Sequence, residues 1–120
     1  MPVATLSIPP SVEHVRTARL VAVAAARRAG LGEETVDDVR LAVGETVARA
    51  VLRHGAAELV AEIDVLVRDD GQAFEIEVHE RTDPALGDED DGVALALVQA
   101  LVPTVRHDAG AVLLAWPRPS

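Results

Sequence analysis

Apolar residues recur along this chain with two different periods. Between Ser11 and Gly30, Val12, Val15, Arg19, Ala22, Val23 and Ala26 follow helical spacing and define one stripe. Ser11 is the expected N-cap, Glu13 suits the positive end of the helix dipole, and Gly30 marks the stop after Arg27 and Arg28. A second helix is predicted from the Glu33 to Thr35 region to His54-Gly55. Its core stripe is Val36, Val39, Val43, Val47, Ala50 and Val51. A different line of the same helix carries Leu41, Glu45, Arg49 and Arg53 at four-residue intervals, one carboxylate and two guanidinium groups in a row.

The period then changes to two. Ile63, Val65 and Val67 alternate with Glu62, Asp64 and Arg68, and Phe74, Ile76 and Val78 alternate with Glu75, Glu77 and His79. Asp69-Asp70-Gly71-Gln72 between them reads as a hairpin turn. Val3 to Ile8, ending at Pro9-Pro10, predicts an edge strand. Glu80 to Asp91 reads as a loop, and Gly92 opens a third helix, Val93 to Leu101, closed by Pro103. Thr104 to His107 and Ala111 to Trp116 are two further strands around an Ala109-Gly110 turn. Strands joined as hairpins imply an α/β (α+β) two-layer sandwich. Its sheet is mostly antiparallel, with about three helices on one face. No repeat or linker divides the chain, so residues 1–120 are expected to form a single domain.

Composition narrows the chemistry. The 120 residues carry a net charge of −9, with 20 acidic side chains against 11 basic ones, all of them Arg. Lys, Asn, Tyr and Cys are absent. That excludes Schiff-base chemistry, thiolate nucleophiles, zinc–thiolate sites, disulfides and Asn metal ligands. With 21 Ala and 19 Val, the core is built from small side chains and requires close approach between layers. The acidic balance argues against a nucleic-acid partner. The apolar run Leu20 to Ala26 is too short to span a membrane, and no signal peptide is seen at the start, so the expected location is cytoplasmic. The four histidines are far apart without metal-ligand spacing and read as surface or boundary residues, with no metal site expected.

The run from Val39 to His54, containing Leu41-Ala42-Val43-Gly44-Glu45 and then Arg49-Ala50-Val51, resembles the N-box helix of GHKL (Bergerat-fold) histidine-kinase-like ATPase domains. It is most similar to the small bacterial anti-sigma-factor serine kinases of partner-switching pathways. Gly92-Val93-Ala94-Leu95-Ala96-Leu97-Val98 is similar to the glycine-rich motif after the family's nucleotide lid, and the element order agrees over nearly the whole chain. The Ala-, Val- and Arg-rich composition suits a GC-rich genome such as those of actinobacteria.

The resemblance implies ATP and Mg²⁺ as cofactors of a working site, and the residues depart from that site in a definite way. Glu45 matches the family's general base. Arg49 stands where an Asn would ligate Mg²⁺, and Arg is a cationic donor that cannot do so. Glu80 occupies the position of the adenine-reading Asp, followed by Thr82 rather than the family's glycines. Of the phosphate-cradling Gly-x-Gly, Gly92 remains and Ala94 replaces the second glycine. Asp88, Glu89, Asp90 and Asp91 immediately precede it, which opposes a triphosphate. The expectation is a regulatory protein of this fold with nucleotide binding lost or weak and no cofactor. Its partner would be a protein such as a sigma factor or an anti-sigma antagonist, with a homodimer as an alternative. The competing readings are an active ATP/Mg-dependent serine kinase and a structural or dimerisation domain. Glu45 and Arg49 are equally an ordinary i,i+4 pair, or residues that fill the vacated pocket.

Overall fold

The computed structural model describes residues 3–83 and 89–118. The chain runs β1 (Val3–Ile8), α1 (Val15–Arg28), α2 (Glu33–Ala56), β2 (Ile63–Asp69), β3 (Ala73–His79), α3 (Glu89–Leu101), β4 (Thr104–Asp108) and β5 (Ala111–Pro117). The five strands form one sheet in the order β1-β2-β3-β5-β4, with every neighbouring pair antiparallel. Register follows the period-two pattern. Ile8 lies opposite Ile63, Val65 opposite Val78, Ile76 opposite Leu114 and Phe74 opposite Trp116, so one sheet face is continuous with the core.

The other face is polar at its centre. Arg68 lies 3.5 Å from Glu75 and 3.4 Å from Glu77, and His79 contacts Glu77 at 2.8 Å. Such partly exposed pairs contribute little each. The two aromatic residues meet inside, with ring centroids 6.3 Å apart. Trp116 donates its indole N–H to the carbonyl of Leu101 at 3.3 Å, fixing the end of α3 to β5.

The small core residues set the distance between α1 and α2. Ala18, Ala22 and Ala26 of α1 are fully buried, as are Val36, Val39, Val43 and Val47 of α2. Arg19 lies across Gly44, where an added Cβ would sit 2.8 Å from the Arg19 Cδ. Arg19 is thus a contact of the α1–α2 crossing rather than a core residue. Two further expectations change here. Val12 belongs to a 3₁₀ turn, Val12–His14, and is 67% exposed, and Ser11 precedes that turn in extended geometry without a side-chain cap. The third helix begins at Glu89 rather than after Gly92, because the acidic residues suit a helix N-terminus and extend it backwards. Of the expected loop, residues 84–88 lie outside the described residues.

Two turns hold the hairpins. Gly71 adopts φ 86°, and the two aspartates before it accept backbone N–H groups. The Gly71 amide, followed by the Arg118 guanidinium, holds the Asp69 carboxyl below its ordinary 3.8. The amides of Ala73 and Gln72 do the same for Asp70. A carboxylate whose folded pKa is depressed contributes stability above its unfolded pKa and loses it as pH falls through the folded one. Stability should therefore decline as pH drops below about 3.8. Asp70→Asn should flatten that decline in urea titrations run across the acid range. At the β4–β5 turn, Gly110 has φ 72°, and a Cβ there would lie 2.9 Å from the Glu80 carbonyl. Gly110→Ala should destabilise the fold by about 1–3 kcal/mol, measured by chemical denaturation.

Candidate functional site

The C-terminal half of α2, α3 and the β4–β5 hairpin enclose one cavity, and the exit of β3 meets α2 beside it. Strand parity explains how Glu80 reaches α2. Ile76 and Val78 face the core, His79 faces out, and Glu80 turns in again just past the end of β3. Its side chain is completely buried. Helix spacing brings Arg53 to meet it, four residues beyond Arg49 and eight beyond Glu45 on one line of α2.

Arg53 grips Glu80 with both of its arms. Nε donates to Oε2 at 3.0 Å and Nη2 to Oε1 at 2.6 Å. Thr82 donates its hydroxyl to the same Oε2. Both oxygens of the carboxylate are therefore engaged from within the chain. Bidentate geometry of this kind makes the strongest class of ion pair.

His54, the next residue of α2, ties down the same junction. It is fully buried, not a surface or boundary histidine. Nδ1 donates to the Ala61 carbonyl at 3.2 Å, and Nε2 accepts the Arg81 N–H at 3.0 Å. Both bonds together require the neutral ring with its proton on Nδ1. Glu80 in turn donates its backbone N–H to the Gly110 carbonyl at 2.7 Å.

Beside this junction lies the cavity, about 40 Å³, lined by Glu45, Thr46, Arg49, Arg53, Ala94, Leu95, Val98, His107 and Val112. That volume holds a few waters. Ligand pockets for small molecules run to several hundred Å³. Glu45 and Arg49 are half-buried on its wall, with Ala94 buried opposite on α3. His107 points in from β4, and among the described residues neither of its ring nitrogens has a hydrogen-bond partner. Among the described residues no group of three His, Asp or Glu side chains is placed to hold a metal ion, and no helix is long and apolar enough to cross a membrane.

The structure thus brings together Glu45, Arg49 and Ala94 around the cavity, with Glu80 and Thr82 behind Arg53 at its end. Gly92 does not join them, since it lies exposed inside the first turns of α3 and does not line the cavity. Three further residues shape the site, and each had a signal in the sequence. His54 continues the buried stripe of Val47, Ala50 and Val51. His107 shares the inward parity of Val105. Arg53 was visible on the line of Glu45 and Arg49, but its partner required knowing that β3 ends at α2.

A helical layer over an antiparallel sheet, with a charged helix line facing a cavity under α3, is the arrangement of an ATPase-type nucleotide-binding domain. Residues 8–115 match the family model of the histidine kinase-like ATPase domain. The chain belongs to that family. It is 26% identical over 119 residues to the serine-protein kinase RsbW of Oceanobacillus iheyensis, an alignment covering 84% of this chain and 75% of that protein. It also resembles a crystal structure of the RsbU and RsbW domains of a Mycobacterium tuberculosis protein, with a TM-score of 0.77 and 24% identity. That match covers all of this chain and 33% of the other, so the chain spans a third of that protein's length, and the likeness is one of fold.

The ion pair makes a direct prediction. Removing Arg53 leaves the Glu80 carboxylate buried without that cation, so Arg53→Leu alone should cost about 3–5 kcal/mol in urea denaturation. Combined with Glu80→Leu it should cost less than the sum of the two single changes, because the carboxylate is no longer stranded.

Proposed function

We propose that this chain is a regulatory binding module of the partner-switching type that works without nucleotide. One observation carries the reading: the Arg53–Glu80 pair occupies, from inside the chain, the group that an adenine ring would have to engage. Glu80 has both oxygens committed and its side chain is fully buried. Arg49 stands at the position that the family resemblance gives to the metal ligand, and a guanidinium offers no lone pair to Mg²⁺. The cavity of about 40 Å³ is far smaller than a nucleoside triphosphate. The residues present therefore do not fit ATP with Mg²⁺.

In this reading the fold is retained for its surfaces. The partners are proteins, a sigma factor or an anti-sigma antagonist, as the likeness to RsbW suggests. The pairing of α2 with the exit of β3 would keep those surfaces in one arrangement that no nucleotide adjusts. A second reading, an active serine kinase, draws on Glu45. It remains on the cavity wall, and the similar protein is named as a kinase.

Thermal denaturation with and without Mg-ATP separates the two. A ligand present at 100 times its Kd stabilises a fold by about 2.7 kcal/mol, a shift of several degrees. The expected shift is none, with ATP or with ADP, and micromolar binding would overturn the proposal. Arg49→Asn alone should leave the result unchanged, because Glu80 stays engaged by Arg53. Pull-down with sigma factors and anti-sigma antagonists from the same genome should then recover a specific complex whose affinity is independent of added nucleotide.

A further inference from the structure

A second hollow, about 320 Å³, opens between α1 and the first three strands, and it shares no wall residue with the cavity under α3. The C-terminal turn of α1 lines it with Ala25, Arg28 and Ala29, and the sheet lines it with Ala4, Val67, Asp69 and Phe74. Local geometry explains the grouping. Positions 25, 28 and 29 share one helix face. In the sheet, Ala4 lies opposite Val67 and Asp69 opposite Phe74. Val67, Phe74 and Ala29 are buried and form an apolar floor. Three walls are alanine, so helix and sheet stay apart where larger side chains would close the gap. Small-molecule pockets begin at about 300 Å³, and this hollow reaches that range.

Two charged groups stand on its wall, and only one of them is engaged. Asp69 is held by Arg118, whose Nη1 lies 2.6 Å from both carboxylate oxygens, and by the Gly71 N–H at 3.1 Å. Arg28 has no ion pair or hydrogen bond among the described residues. The helix end beside it offers little to a cation. The carbonyls of Ala25, Ala26 and Arg27 already accept the N–H groups of Ala29, Leu31 and Gly30. Helix α1 carries four arginines and no carboxylate, within a chain whose net charge is −9. An apolar floor next to a free guanidinium selects an apolar molecule with an anionic head, and the planar fork of Arg matches a carboxylate best.

We propose that this hollow binds a free aliphatic carboxylate of medium chain length, its chain laid on Val67 and Phe74 and its head paired with Arg28. An aliphatic amine gains the same floor but meets the guanidinium as a like charge, and the one carboxylate on the wall is already satisfied. A neutral alcohol gains the floor without the ion pair. The site is independent of the nucleotide question, since neither Arg53 nor Glu80 takes part in it.

An NMR titration of the isotope-labelled full chain with octanoate tests this. The expected result is saturable shifts centred on the amides of Ala4, Ala29 and Val67, with those of Arg49 and Ala94 unmoved. Arg28→Gln should weaken binding about tenfold, the loss of one charge-assisted contact. Arg16→Gln, an exposed arginine of the same helix away from the hollow, should leave the Kd unchanged. Ala25→Leu from the helix side and Ala4→Leu from the edge strand each fill the hollow and should abolish binding, so a folding defect in one leaves the other to report. Four results overturn the proposal: no saturable shift with octanoate, octylamine binding as tightly as octanoate, equal Kd values for Arg28→Gln and Arg16→Gln, or undiminished binding in a folded filling variant.

Discussion

A completely buried carboxylate must be answered by a cation, and in this chain that requirement joins the two layers. Glu80 enters the interior because strand parity turns it inward, and Arg53 meets it from α2 with two hydrogen bonds. Thr82, His54 and the Gly110 carbonyl then complete the surroundings. The cost of desolvating such a pair is high, and its value lies more in specifying one arrangement than in raw stability. The end of α2, the exit of β3 and the β4–β5 turn therefore hold one another in register. The shape of the cavity under α3 follows from that register.

The rest of the molecule is economical in volume. Alanine and valine let α1 and α2 lie close, with Arg19 crossing over Gly44 where any side chain would intrude. Only two aromatic rings are used, and both sit at the same end of the sheet. Charge is distributed with equal purpose. The arginines of α1 and the carboxylates at the start of α2 stay exposed, while the strongest pair is hidden. In this ATPase-type fold the strongest charged pair is made within the chain, between Arg53 and Glu80.

Most of the architecture could be read from periodicity, because nearly every apolar residue obeys a single local rule. The α2 stripe from Val36 to Val51 is buried as its spacing demands, and the strands fall where alternation placed them. The misreadings occurred where local rules compete. Ser11 resembles a helix cap but precedes a 3₁₀ turn, and Gly92 resembles a helix start but sits inside a helix begun by acidic residues. The site was harder to read. Glu45 and Arg49 could be placed on one helix line, but the state of Glu80 depends on a contact 27 residues away in sequence. His54 looks ambiguous alone, since its burial is decided by carbonyl and amide groups from two other segments. Pairings between elements, rather than the elements themselves, are what a single sequence conceals.

Trp116 has a consequence of its own. It is the sole tryptophan, it is almost fully buried, and its indole N–H is held by the last residue of α3. Its emission therefore depends on whether α3 is seated on the sheet. The chain carries a built-in optical reporter for the seating of α3, and events on that helix can be followed without attaching any label.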